Sequence, residues 1–147
     1  MLNMTKMLAG QSLKAIFKMN KYLYKVTDLS PRHVFSLFDK LITPILNYGS
    51  EVTGFHKDVR VERTHLRFCN RLLGVKSSTQ NSFIYFELCR TSLQCLRSYT
   101  IIKYWLKLCH SLDVKYTKQV YNQLLRCIEV QPNKLTWATQ VRDLLAR

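Results

Sequence analysis

Arginines recur at positions 60, 63, 67 and 71 of the segment "VRVERTHLRFCNRLLGV", residues 59–75. At ~100° per residue on a helix, Arg60, Arg63, Arg67 and Arg71 fall within an arc of roughly 80°, and Leu66, Phe68, Cys69, Leu72 and Leu73 take the opposite side. A guanidinium fork matches phosphate oxygens in pairs, and successive turns ~5.4 Å apart can follow a nucleic-acid backbone. The same spacing also fits an amphipathic surface helix whose arginines are simply hydrated. Glu62, an acid on the apolar side, suits a first-turn partner of the helix dipole or an internal ion pair. After Gly74 the run "VKSSTQNS" adds Lys76 and a set of hydroxyls and amides that either contact phosphate or cap and turn.

Other site chemistry is absent from the pattern. The nine acids include no adjacent aspartates and no obvious metal-binding pair, and there is neither GxSxG nor a glycine-rich phosphate loop. His33, His56, His65 and His110 have no nucleophile partner in a motif. The expectation is a chain that is not an enzyme, with no catalytic residue, no cofactor and no small-molecule substrate. Cys69, Cys89, Cys95, Cys109 and Cys127 are odd in number and form no close CxxC pair, so they are expected as reduced thiols in a core. His65 and Cys69, with Cys109 and His110, lack the two-residue spacings of structural zinc modules, and no metal is expected.

These residues sit in a chain of 147, long enough for a real core, with 47% hydrophobic content. Four glycines and three prolines leave too few turn signals for a sandwich or barrel, so the fold class expected is all-α. The formal charge is +14, and it is spread: 9 basic against 4 acidic residues over 1–60, 8 against 2 over 61–112, 6 against 3 over 113–147. Such an excess fits a polyanionic partner, either nucleic acid or an anionic membrane surface. Lysines or arginines interrupt every apolar run before the ~20 residues of a membrane span, so no span is expected.

The periodicity predicts six to seven helices in a bundle-like arrangement. In the first, Leu13, Ile16, Phe17, Leu23 and Tyr24 form one face and Lys14, Lys18, Lys21 and Lys25 another. Ser30 and Pro31 predict an N-cap and first helical residue for a largely buried helix carrying Val34, Phe35, Leu37, Phe38, Leu41, Ile42, Ile45 and Leu46. Pro44 should kink it and Gly49 should end it in a left-handed turn. A short helix is expected near 83–88 and a long central one over about 92–111, apolar except for Arg97, Lys103 and Lys107. Trp105 should anchor it in the core, although Tyr104 or Trp105 could instead stack on a base. Val120, Tyr121, Leu124, Leu125 and Ile128 mark the next helix, Pro132 breaks it, and Trp137, Val141, Leu144 and Leu145 mark the last.

The order of motifs carries a further reading. "LFDKLITPILNYGSEVTGF", "RTHLRFCNRLLGVKSSTQNSFIYFELCR", "IIKYWLKL" and "LTWATQVRDLL" together resemble the segment that follows the polymerase palm in LINE-type non-LTR retrotransposon reverse transcriptases, and "QSLKAIFKMNKYL" resembles the helix that ends that polymerase domain. The resemblance implies a helix at 1–28 from the end of the polymerase domain, a thumb-like helical domain at 29–112 and a C-terminal helical linker region at 113–147. It implies a fragment of an RNA-directed DNA polymerase without the catalytic aspartates. On that view Arg60, Arg63, Arg67, Arg71 and Lys76 are backbone contacts to a template–primer duplex or the element's RNA, and the packing partner is a polymerase palm absent from this chain. Thr53 stands where such elements usually carry tryptophan, Gln80 where proline is common, and Phe86 and Cys89 where glycine is frequent. Two other readings stay open. One is a helical protein-interaction module with a solvated basic surface. The other is a small mitochondrial protein, because residues 1–27 hold five lysines and no acid ahead of position 28. The expected location is nuclear or cytoplasmic, with mitochondrial as the minor alternative.

Overall fold

The computed structural model describes residues 2–23, 30–55, 58–131 and 134–146. Tyr24, Lys25, His56 and Pro132, which the sequence reading used, lie outside the described residues. Among the described residues the chain is all-helical, with α1 Leu2–Leu23, α2 Pro31–Leu41, α3 Thr43–Leu46, α4 Ser50–Thr53, α5 Val59–Leu73, α6 Asn81–Glu87, α7 Leu93–Cys109, α8 Tyr116–Val130 and α9 Trp137–Leu145. The two segments beyond the expected count are the four-residue turns α3 and α4. Proline creates the first: Pro44 has no N–H for the carbonyl of Lys40, so the helix lapses at Ile42 and resumes at Thr43. Gly49 then takes φ 66°, the left-handed turn expected of it.

The chain falls into two compact units, Met1–Tyr48 with Lys57–Gln94 and Gly49–His56 with Cys95–Arg147. This division follows packing, whereas the three-part division above follows motif order.

In the first unit, Ile16, Met19, Val34, Phe38, Ile42, Leu46, Val61, Phe68, Cys69, Ile84 and Leu93 form one buried cluster. Pro31 opens α2 as expected, but the Ser30 hydroxyl lies 2.9 Å from His33 Nδ1 and caps no backbone N–H. The face of α2 and α3 is half buried and half exposed: Phe38, Ile42 and Leu46 are sealed, while Leu41 is 53% exposed. On α1 the expected face is corrected. Leu8, Ser12, Ile16 and Met19 point inward, and Leu13 and Phe17 point out. Ser12 tolerates burial because its hydroxyl donates to the Ala9 carbonyl at 2.8 Å, which offsets the desolvation penalty of a buried hydroxyl.

The second unit centres on Trp137, whose ring meets Phe55, Tyr104 and Tyr121 edge-on at centroid distances of 6.2, 5.9 and 6.1 Å. Its indole N–H donates to the Glu51 carbonyl at 3.0 Å. The Trp105 indole donates to the Tyr121 hydroxyl at 2.9 Å, so Trp105 and Tyr104 both pack inside this cluster, beside Leu108 and Ala138. Arg97, read as a polar exception on α7, is buried. Leu125 and Leu145, read as facing inward, are exposed. At Gly54 an added Cβ would lie 2.5 Å from the Ser50 carbonyl oxygen and 3.3 Å from Arg97 Cβ, so the α4 corner requires glycine for close approach.

Candidate nucleic-acid interface

Helix α5 starts on Asp58, whose carboxylate accepts the Arg60 N–H at 2.8 Å. Burial pushes the Asp58 carboxyl up, but hydrogen bonds from the Thr5 side chain and from the Arg60 and Val61 backbone, with the Arg60 charge, hold it below the usual carboxylate range. The helix ends on Gly74 at φ 67°, with Gly74 N–H donating to the Arg71 carbonyl and Val75 N–H to that of Asn70. Both ends are therefore fixed, and the rotation of the helix about its axis is set by what it buries.

Burial covers most of its circumference. Val61, Thr64, His65, Phe68, Cys69 and Asn70 are buried, and Leu66, Leu72 and Leu73 are half-buried. Thr64 meets its need internally, donating to the Arg60 carbonyl at 3.0 Å. Past its first residue, Val59, the exposed side chains of α5 are Arg63, Arg67 and Arg71. Four-residue steps place these three ~6 Å apart along the axis. Arg60 belongs to a different set, half-exposed and paired with Asp58 at 3.5 Å. Lys76 is exposed in the turn beyond Gly74. Among the described residues no carboxylate pairs with Arg63, Arg67, Arg71 or Lys76; the ion pairs are Asp58–Arg60, Asp39–Arg90 and Asp143–Arg142.

Such a row is a cost in the absence of a partner. Like charges at i,i+4 destabilise a helix by about 0.2–0.5 kcal/mol per pair, and the row contains two, Arg63–Arg67 and Arg67–Arg71. The first unit also holds most of the excess charge, 14 basic against 5 acidic residues and so +9 of the total +14.

Glu62 takes the first-turn position expected of a dipole partner and forms no ion pair among the described residues. Its carboxylate accepts from the Tyr85 hydroxyl on α6 and from the Leu93 N–H at 3.1 Å, which opens α7. It thereby ties α6 and the start of α7 to the arginine-bearing helix. A second tie was missed from sequence. Arg90 forks onto Asp39 through both terminal nitrogens and lies over the Phe35 ring at 4.8 Å. Its direction follows from Cys89, which ends α6 at φ 49°: Cys89 N–H donates to Phe86 and Arg90 N–H to Tyr85. This is the same helix stop as at Gly74, made with a residue that pays strain for it.

His65 lies under these ties, stacked on Phe38 at 5.6 Å, with neither ring nitrogen hydrogen-bonded. Burial, and then the nearby Arg90 charge, hold its pKa down to about 4, so it is neutral in the core. Burial raises the Cys69 thiol to about 11. The expectation of five core cysteines is corrected: Cys69 is buried, while Cys89, Cys95, Cys109 and Cys127 are exposed. Thiol burial follows helix rotation, which cysteine's mixed character does not reveal in sequence. Among the described residues no group of three or more His, Cys, Asp or Glu side chains could hold a metal ion, and no helix is long and apolar enough to cross a membrane.

No family model, curated protein or solved structure matches the chain.

Proposed function

We propose that the chain is a non-catalytic, all-helical nucleic-acid-binding module that grips phosphate backbone through the row Arg63, Arg67 and Arg71, with Lys76 beyond Gly74 and the Asp58-paired Arg60 as flanking contacts outside the row. The observation that carries the reading is the exposed arginine row on an otherwise buried helix, without a carboxylate partner among the described residues. A helix held at both ends and tied by Glu62 presents its charges in fixed register, which favours a repeating anion over free salt. The resemblance to the post-palm region of LINE-type reverse transcriptases supports the same reading and gives it a context: a thumb-like fragment whose polymerase palm and catalytic aspartates lie elsewhere. RNA or DNA backbone is the partner in either case.

Reversing Arg63 and Arg67 to glutamate should weaken binding of unrelated RNA and DNA sequences alike, by at least tenfold at physiological salt, since each lost phosphate contact removes released counterions. Equal affinity of variant and wild type refutes the proposal. The protein-interaction reading draws on a different observation, the exposed Leu96, Tyr99, Tyr116 and Val130 of the second unit. It predicts that the reversals leave association with a protein partner untouched.

A further inference from the structure

Helix α6 turns two phenylalanines to solvent, Phe83 at 50% and Phe86 at 81% exposure. Three residues apart, they share one face of the helix, while Ile84 and Leu88 turn the other into the core. Phe86 walls an open hollow of about 520 Å³ with Tyr85, Glu87, Cys89, Arg90 and Thr91. The charges of this hollow do not suit a phosphate. Glu87, an exposed acid, lines it, and the Arg90 guanidinium is already held by Asp39. A flat, neutral heterocycle finds the opposite: a phenyl face to stack on, a carboxylate to accept from ring or exocyclic N–H groups, and the Thr91 hydroxyl to donate or accept.

Resting on the nucleic-acid reading above, we infer that the α6 hollow is a stacking site for an unpaired nucleobase, with Phe86 as its platform and Glu87 and Thr91 at the base edge. The phosphates of the same strand belong to the arginine row, in a unit whose charge is complementary to a polyanion. Bases in a duplex are paired and stacked on one another and cannot reach an aromatic side chain; bases of a single strand can. The chain therefore binds single-stranded nucleic acid in preference to duplex, and the preference resides in Phe86.

The test measures anisotropy of a fluorescein-labelled polyuridine strand and of a blunt RNA duplex against wild type, Phe86→Ala, Phe86→Tyr and Arg67→Gln. Phe86→Ala should bind the single strand about tenfold more weakly and the duplex as wild type does, while Phe86→Tyr retains the single-strand affinity. In a Phe86→Trp variant, the single strand should change the tryptophan emission and the duplex should not. Single-strand affinity unchanged in Phe86→Ala, or lost equally for both probes, overturns the inference. The backbone reading fails separately, through Arg67→Gln: if that variant binds both probes as wild type does, the arginine row is not the phosphate contact.

Discussion

Removing the Glu62 carboxylate should unfasten the helices that hold the arginine row. Glu62→Ala removes the acceptor shared by two donors, the Tyr85 hydroxyl and the Leu93 N–H, and the latter, at a helix start, has no intrahelical acceptor. Hydrogen bonds to a charged acceptor contribute about 1.5–3 kcal/mol each. Glu62 is half-buried, so water can reach part of the vacated site, and the sum is discounted to about 3 kcal/mol. Against a typical domain stability of about 5–15 kcal/mol this is a large fraction. Urea unfolding followed by circular dichroism should show a midpoint lower by about 1–3 M, given a slope of about 1–3 kcal/mol per molar. Hydrogen exchange should place the loss in α5, α6 and the start of α7. Tyr85→Phe, which removes one bond, should fall about halfway. A Glu62→Ala loss under about 0.5 kcal/mol, the range of ordinary surface changes, refutes the assignment of Glu62 as the tie.

Three further outcomes follow from which side chains of the two units are buried and which are exposed. His65 has a folded pKa of about 4 against 6.5 when exposed, so the unfolded chain binds more protons between those values; its contribution is complete above pH 6.5 and is lost as pH falls towards 4, by up to about 3 kcal/mol. Unfolding free energy measured across that window should fall more steeply for wild type than for His65→Phe, and parallel slopes contradict the account. Iodoacetamide followed by mass spectrometry should label Cys89, Cys95, Cys109 and Cys127 in the native chain and Cys69 only after denaturation. Cys89→Gly should raise stability by about 0.5–1 kcal/mol in chemical denaturation, since glycine removes the left-handed strain at φ 49° at some cost in chain entropy.

The parts of the fold that obey local rules were legible. Apolar spacing gave the helices, and Pro31, Pro44 and Gly49 gave a start, a break and a stop, because each acts through its own backbone. Rotation of a helix depends on its neighbours, and here sequence reasoning was weaker. Ser12 was passed over on the buried face of α1 because its hydrogen bond to Ala9 is invisible in a hydrophobicity pattern. Cys89 hid a helix stop because cysteine is an unusual residue for φ > 0. The Asp39–Arg90 and Glu62–Tyr85 pairs join residues 51 and 23 positions apart, and nothing local announces them. The arginine row was the most legible feature, since a period of four on one helix needs no tertiary knowledge. What sequence lacked was the burial of the rest of α5, which leaves Arg63, Arg67 and Arg71 as its outward face.

The salt dependence of binding tests that row most directly. Observed affinity for a duplex, plotted as its logarithm against the logarithm of salt concentration, should give a steep negative slope for wild type. In the variant Arg63→Gln, Arg67→Gln and Arg71→Gln together, the slope should flatten by about 0.9 per lost phosphate contact, hence by about 2–3, while the fold is kept or slightly stabilised by relief of the like-charge pairs. A slope and affinity equal to wild type in that folded variant would contradict the account.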